Sequence, residues 1–182
     1  MKKTQEKWQS GDPAAFEELY RQYHLNVFRN AYLITGTRQE AEDVLQEVFV
    51  SVWKARQTFD PDKGKITTWL HRITVNQCLR RKRKKQALAT SLENLQIEEI
   101  LRDEGQEAKV VNREEREILV KALKSLDEKH RAVLVLKYFD ELSYEEIARA
   151  VDIPLGTVKS RIYQGLKAMR EQLGIRQEEA CK

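Results

Sequence analysis

The sequence predicts an all-α protein: two small helical domains joined by a linker, the second containing a helix-turn-helix. Three observations lead there. Apolar residues recur at helical spacing along most of the 182 residues. Only three prolines and seven glycines interrupt the chain, which leaves room for long helices. Leu142 to Leu173 reads as a short helix, a tight turn and a longer basic helix. The expected divisions are a first domain at 1–88, an acidic linker at 89–111, a second domain at 112–176 and a tail at 177–182.

Asp12-Pro13 marks the first helix start, because Asp can cap and Pro suits the first helical position. Phe16, Leu19, Tyr20, Tyr23, Val27, Ala31 and Ile34 follow at helical spacing, and Thr35-Gly36 ends the run. The second helix is expected from about Arg38 to Gln57. Ala41, Val44, Leu45, Val48 and Val52 form its inward stripe at 100° per residue. Asp43, Gln46, Glu47, Val50 and Lys54 fall opposite, with Phe49 and Trp53 at the edge. An acidic and amide face beside apolar residues is unnecessary for folding. It suits a protein partner and is a poor match for DNA.

A turn-rich loop from Phe59 to Lys65 precedes the third helix, expected from Ile66 to about Lys85. Leu70, Ile73, Val75 and Leu79 include its inward positions. Trp69, Arg72, Asn76 and Arg80 share another side. An aromatic ring, an amide and two guanidiniums on one face can stack a base, bond its edge and neutralise phosphate, the chemistry of single-strand binding. Residues 63–85 hold nine basic side chains and no acidic one, whereas 86–117 hold nine acidic and four basic, a net of −5. The overall charge is only +4, so its distribution carries the information. Two basic blocks around an acidic middle suggest two surfaces for a polyanion.

The apolar pattern resumes from about Asn112 with Ile118, Ala122 and Leu126, continues through Val133, Leu134 and Leu136, and ends in the helix-turn-helix. Ser143 and Glu146 form a capping box there. Asp152-Ile153-Pro154 breaks the helix. Val158, Ile162, Leu166, Met169 and Leu173 then line the inner face of the last helix. Thr157, Lys159, Ser160, Arg161, Tyr163, Gln164 and Lys167 line its outer face. From Pro154 to Arg170 there are four basic residues and no acidic one, the layout of a recognition helix for the DNA major groove.

Other classes fit less well. Cys78 and Cys181 lack the spacing of a disulfide framework or zinc site. The polar N-terminus lacks a signal peptide's apolar core, and the longest apolar run, Ala132 to Leu136, is far too short to span a bilayer. A soluble protein of a reducing compartment is expected. His24, His71 and His130 are isolated, and no paired carboxylates accompany the basic helix. A nuclease or other enzyme is therefore not expected, nor is any cofactor, metal or small-molecule substrate. The N-terminal half lacks the alternating strands and helices of a receiver domain.

Four stretches together carry a resemblance. They are GDPAAFEELYRQY at Gly11 to Tyr23, AEDVLQEVFVSVW at Ala41 to Trp53, TTWLHRITVN at Thr67 to Asn76, and LSYEEIARAVDIPLGTVKSRI at Leu142 to Ile162. In this order and spacing the chain resembles an extracytoplasmic function sigma factor, the two-domain minimal class of bacterial sigma factors. The resemblance implies an alternative sigma factor that binds core RNA polymerase, directs it to specific promoters and supports melting. It implies docking on the β′ clamp helices through Asp43, Gln46, Glu47, Phe49 and Val50, with the β subunit as a further contact. Lys63, Lys65, Trp69, Arg72, Asn76 and Arg80 would read the minus-ten element as a single strand. Gly156, Thr157, Lys159, Ser160, Arg161, Tyr163, Gln164 and Lys167 would read the minus-thirty-five element as duplex. It also implies an anti-sigma factor as partner, and a cytoplasmic location or retention at the inner membrane face by that partner. The competing reading is a stand-alone helix-turn-helix regulator acting without polymerase. It leaves the Asp43–Gln46–Glu47 face and the basic third helix without a role.

Overall fold

The computed structural model describes residues 7–62, 64–86 and 113–174, and within them every regular element is helical. A helical turn at residues 7–9 precedes α1 (Pro13–Thr35), α2 (Arg38–Lys54), a 3-10 turn (Arg56–Thr58) and α3 (Ile66–Gln86). Then come α4 (Arg113–Ser125), α5 (Glu128–Tyr138), α6 (Tyr144–Val151) and α7 (Leu155–Gln172). The segment expected to be the linker and the C-terminal tail lie outside the described residues.

The helix boundaries follow local chemistry. Asp12 accepts from the Ala14 amide at the start of α1, and Gly36 closes the helix in the left-handed conformation at φ 94°. Thr37 caps α2. Asp127 caps α5 by accepting from the amides of Lys129 and His130; that cap separates α4 from α5, a break the periodicity did not reveal. The capping box of α6 is present in full, with Ser143 and Glu146 each serving the other's backbone.

Burial matches the inward stripes in most places. Ala41, Val44, Val48 and Val52 are buried on α2, and Val158 and Ile162 on α7, whereas Leu45, Leu166 and Met169 are half-buried. Ile118 departs from expectation: it is 52% exposed, and α4 instead buries Val120, Ala122 and Leu123. Trp8, preceding every periodic run, is fully buried and packs against Phe59 and Trp69, with ring centroids 6.2 and 6.0 Å away.

The two halves pack together. α1 lies against α5 and α4, and α3 against α6 and α5, so one apolar interior continues through both. Within the second half α7 lies close on α5. A Cβ at Gly165 would sit 2.9 Å from Leu134 Cδ1, closer than side-chain carbons tolerate, so any other residue would force Leu134 or α7 to shift.

Candidate functional site

The outward face of α2 is real but not free-standing. Gln46, Glu47 and Val50 are exposed, Val50 at 52%. Phe49, expected to contact a partner, is only 6% exposed. Its ring packs against Tyr20 and Phe16, with centroids 4.7 and 6.2 Å away, so it supports the face from beneath. The reason is helical phase: 100° per residue places Phe49 next to Val48 and Val52, within reach of α1.

The carboxylates of Asp43 and Glu47, one helical turn apart, both bind Arg81 of α3. The guanidinium donates to Asp43 Oδ2 at 2.6 Å and to Glu47 Oε1 at 2.8 Å. Gln77 of α3 donates to Ser51 of α2 at 2.8 Å, one turn further along. An open groove runs between Gln46, Glu47 and Val50 on α2 and Gln77, Arg80 and Arg81 on α3. Arg81 was legible only as part of a basic run; its pairing across helices required the packing of α3 on α2.

On α3, Arg72, Asn76 and Arg80 are exposed at four-residue spacing, within an 80° arc, so they form a row. Lys65 is exposed at the helix start, and Lys63 lies outside the described residues. Trp69 is half-buried, and its ring lies 5.4 Å from Phe59 and 6.0 Å from Trp8. It is part of an aromatic cluster under the loop rather than a ring standing free beside Arg72. The opposite side of α3 buries Leu70, His71, Thr74, Val75 and Cys78. Burial pushes the Cys78 thiol pKa far above its usual value, so this sulfur is inert.

On α7, Lys159, Ser160, Tyr163, Gln164 and Lys167 are exposed, Tyr163 at 67%. Thr157 and Arg161 are half-buried. Gly156 is exposed, and nothing lies within 4 Å of a Cβ built on it. Gln164 Oε1 lies 3.1 Å from His130 Nε2, while His130 Nδ1 lies 2.8 Å from Asp127 Oδ2, so this part of the row is braced by α5. α7 has no side-chain cap, and no acidic residue lies in its first turn. Its outer surface is cationic and polar, able to reach phosphates and base edges. Among the described residues no three His, Cys, Asp or Glu side chains are grouped to hold a metal ion, and no helix is long and apolar enough to cross a membrane.

Comparison with known proteins matches both helical halves of the chain. Residues 19–88 match the Sigma-70 region 2 family model, and residues 116–169 match Sigma-70, region 4. The chain is 35% identical over 181 residues to the ECF RNA polymerase sigma factor SigW of Bacillus subtilis, covering 95% of this chain and 96% of that protein. It is 33% identical over 174 residues to the ECF RNA polymerase sigma-E factor of Escherichia coli K12, covering 90% and 89%. In fold it is similar to the sigma factor RpoE solved with the anti-sigma factor NepR from Bartonella quintana. The TM-score is 0.67 at 22% identity, covering 88% of this chain and 97% of that one. CnrH, solved with the cytosolic domain of CnrY, gives a TM-score of 0.64 at 21% identity, covering 94% and 95%. The region 2 match over the N-terminal half disfavours a regulator acting apart from polymerase. With both regions present in order and relatives matched along nearly their whole length, the chain belongs to the ECF family of RNA polymerase sigma factors, which direct the polymerase to promoters.

Proposed function

We propose that this chain docks on core RNA polymerase through the outer face of α2, captures the melted minus-ten strand along α3, and reads the minus-thirty-five duplex with α7. The carrying observation is the exposed row Arg72–Asn76–Arg80 on α3, next to the carboxylate and amide face of α2. Within this reading, Asp43, Gln46, Glu47 and Val50 meet the β′ subunit, and Phe49 shapes their surface. Lys65, Arg72 and Arg80 neutralise phosphate, Asn76 bonds a base edge, and Trp69 walls the site from its aromatic cluster. Thr157, Lys159, Ser160, Arg161, Tyr163, Gln164 and Lys167 contact the upstream duplex, with Gly156 letting backbone approach DNA.

The mechanism is differential binding. A base edge is open to Asn76 only after the base leaves the stack, so α3 stabilises the melted state over the duplex and shifts that equilibrium. No covalent step is required, and we read the protein as a binding factor rather than an enzyme, acting in the cytoplasm. Some neighbours of the same fold are described as complexes with anti-sigma factors; we extend such a partner to this chain as part of the proposal.

The test is Asn76→Ala. Open-complex formation should fall more than closed-complex binding, read by permanganate reactivity of promoter thymines beside a gel shift. A pre-melted bubble template should rescue much of the melting step but not the lost strand affinity. If Asn76→Ala melts the duplex promoter as well as the parent does, base capture by α3 is wrong.

A further inference from the structure

Gln164 sits in the middle of the exposed row of α7. Ser160, Tyr163, Gln164 and Lys167 fall within an arc of about 100° on one side of the helix. Unlike a lysine, which only donates, a glutamine amide has two different ends. Its oxygen accepts and its nitrogen donates, so the end that faces a base decides which base is read.

The structure turns one end away. Gln164 Oε1 lies 3.1 Å from His130 Nε2, and His130 Nδ1 lies 2.8 Å from Asp127 Oδ2. Both ring nitrogens therefore face oxygen atoms. An amide oxygen and a carboxylate accept and cannot donate, so both ring nitrogens carry hydrogen. The ring is then the cation of an ion pair with Asp127. Burial pushes the Asp127 carboxyl pKa up, but the backbone and side-chain hydrogen bonds from His130 outweigh it. The carboxyl is held below its usual range and stays ionised as the ring's partner.

Capping of α5 alone does not require this chain of bonds. Asp127 Oδ1 already accepts from the amides of Lys129 and His130, which completes the helix start. The ring adds a bond to a different helix. Gly165, the neighbour of Gln164, brings that helix near: it is buried, and a Cβ built on it would lie 3.5 Å from the His130 Cβ. The His130 side chain is only 25% exposed, so the ring is held between α5 and α7.

We propose that His130 is a positioning residue for promoter specificity: it holds the Gln164 oxygen, leaving only the amide N–H groups to face the minus-thirty-five duplex, so that one position there is read as guanine rather than adenine. This role deepens the α7 reading above and rests on it. In the major groove guanine shows two acceptors, N7 and O6, whereas adenine shows one acceptor and one donor. A free glutamine suits adenine, because it uses both ends at once. A glutamine held by His130 has its oxygen turned away from the adenine N6 hydrogens, yet it can still donate to guanine N7 and O6. The bond also fixes the side chain before DNA arrives, which lowers the ordering cost of the contact.

The experiment reconstitutes the full chain with core polymerase and selects bound promoters from a library with a randomised minus-thirty-five element. The parent is compared with Gln164→Ala, His130→Leu, His130→Gln and Asp127→Asn, with helix content followed by circular dichroism. The parent should prefer guanine to adenine at one position, and Gln164→Ala should lose preference there alone. His130→Leu should shift that position towards adenine by about tenfold, the size expected for one bidentate contact, with other positions unchanged. His130→Gln keeps an N–H able to reach Gln164 and should retain guanine. Asp127→Asn keeps an oxygen for the cap but loses the charge that holds the ring, so it should shift the same way, by less. If His130→Leu loses helix, Asp127→Asn decides. Loss of helix in both would overturn the positioning role, because the bonds would then hold α5 itself. An unchanged preference in a folded His130→Leu would overturn it. So would selection of cytosine by the parent, since its N4 donor needs the amide turned the other way. Uniform weakening across sequences, with a salt slope reduced by about one, would overturn it in favour of a direct phosphate contact by His130. A parent that binds core enzyme but selects no upstream base would refute the α7 reading and this role with it. Upstream selection that His130→Leu leaves intact would refute the positioning role alone.

Discussion

Gly165→Ala tests how α7 is seated. On an exposed helix position this change stabilises by about 1 kcal/mol, since glycine is the worse helix former. At Gly165 the added Cβ would meet Leu134 Cδ1 at 2.9 Å, Leu134 Cγ at 3.4 Å and the His130 Cβ at 3.5 Å. Ordinary carbon contacts fall near 3.5–4.0 Å, so the methyl overlaps Leu134 by roughly 0.6 Å or more. Leu134 is 2% exposed and cannot swing into solvent. Either it leaves its rotamer, at about 0.5–1.5 kcal/mol, or α7 shifts and the overpacking costs ~1–3 kcal/mol. The net expectation is a destabilisation of about 1 kcal/mol where the propensity scale alone predicts a gain. A double-mutant cycle isolates the contact. Leu134→Ala should cost about 2–5 kcal/mol by itself. In that background Gly165→Ala should become favourable by ~1 kcal/mol, a coupling of roughly 2 kcal/mol. The assay is urea unfolding of the full chain followed by circular dichroism. If Gly165→Ala is equally stabilising in both backgrounds, the close approach of α7 to α5 is wrong.

Three further outcomes are expected. Reversing Asp43 and Glu47 to lysine places two ammoniums beside Arg81, so both stability and core binding should fall; adding Arg81→Glu should restore stability, within about 1 kcal/mol for these half-exposed pairs, but not core binding, and recovery of binding would reduce the triad to a structural role. Burial lowers the His71 pKa, opposed by Asp140 and Glu146 and reinforced by Arg29, and its Nδ1 has no hydrogen-bond partner among the described residues. The unfolded chain therefore takes up a proton near pH 6.5 that the folded chain refuses, so stability should fall as pH drops below about 6.5; a His71→Gln variant with the same slope between pH 7 and 5.5 in urea titrations would refute this. Ser143→Ala removes half of the α6 capping box and should cost about 1 kcal/mol in the same unfolding assay; a loss under ~0.3 kcal/mol would show that packing alone sets the start of α6.

The sequence alone determined most of the helices, though not the break between α4 and α5, and what each outer face is made of. Asp12-Pro13, Thr35-Gly36 and the Ser143–Glu146 box act within one turn of backbone, so they are legible without any tertiary contact. The rows Arg72–Asn76–Arg80 and Lys159–Tyr163–Lys167 are legible for the same reason: helical geometry alone fixes which residues share a side. Which side meets a neighbour depends on elements far away in the chain. Phe49 sits at the edge of the α2 stripe, and only the approach of α1, with Phe16 and Tyr20, decides that it is covered. Arg81 reads as one cation among many until α3 lies on α2 and gives it two carboxylates. Trp8 has no periodic partners in sequence, yet it closes the cluster with Phe59 and Trp69. The junction of the two halves is the plainest case. Asp140 in a turn, Arg29 and Asn30 in one helix and His71 in another are each ordinary polar residues in sequence. Their meaning as a set comes from burial, which removes water and forces each buried polar group to find a partner across more than a hundred residues of chain, or to forfeit its place in the interior.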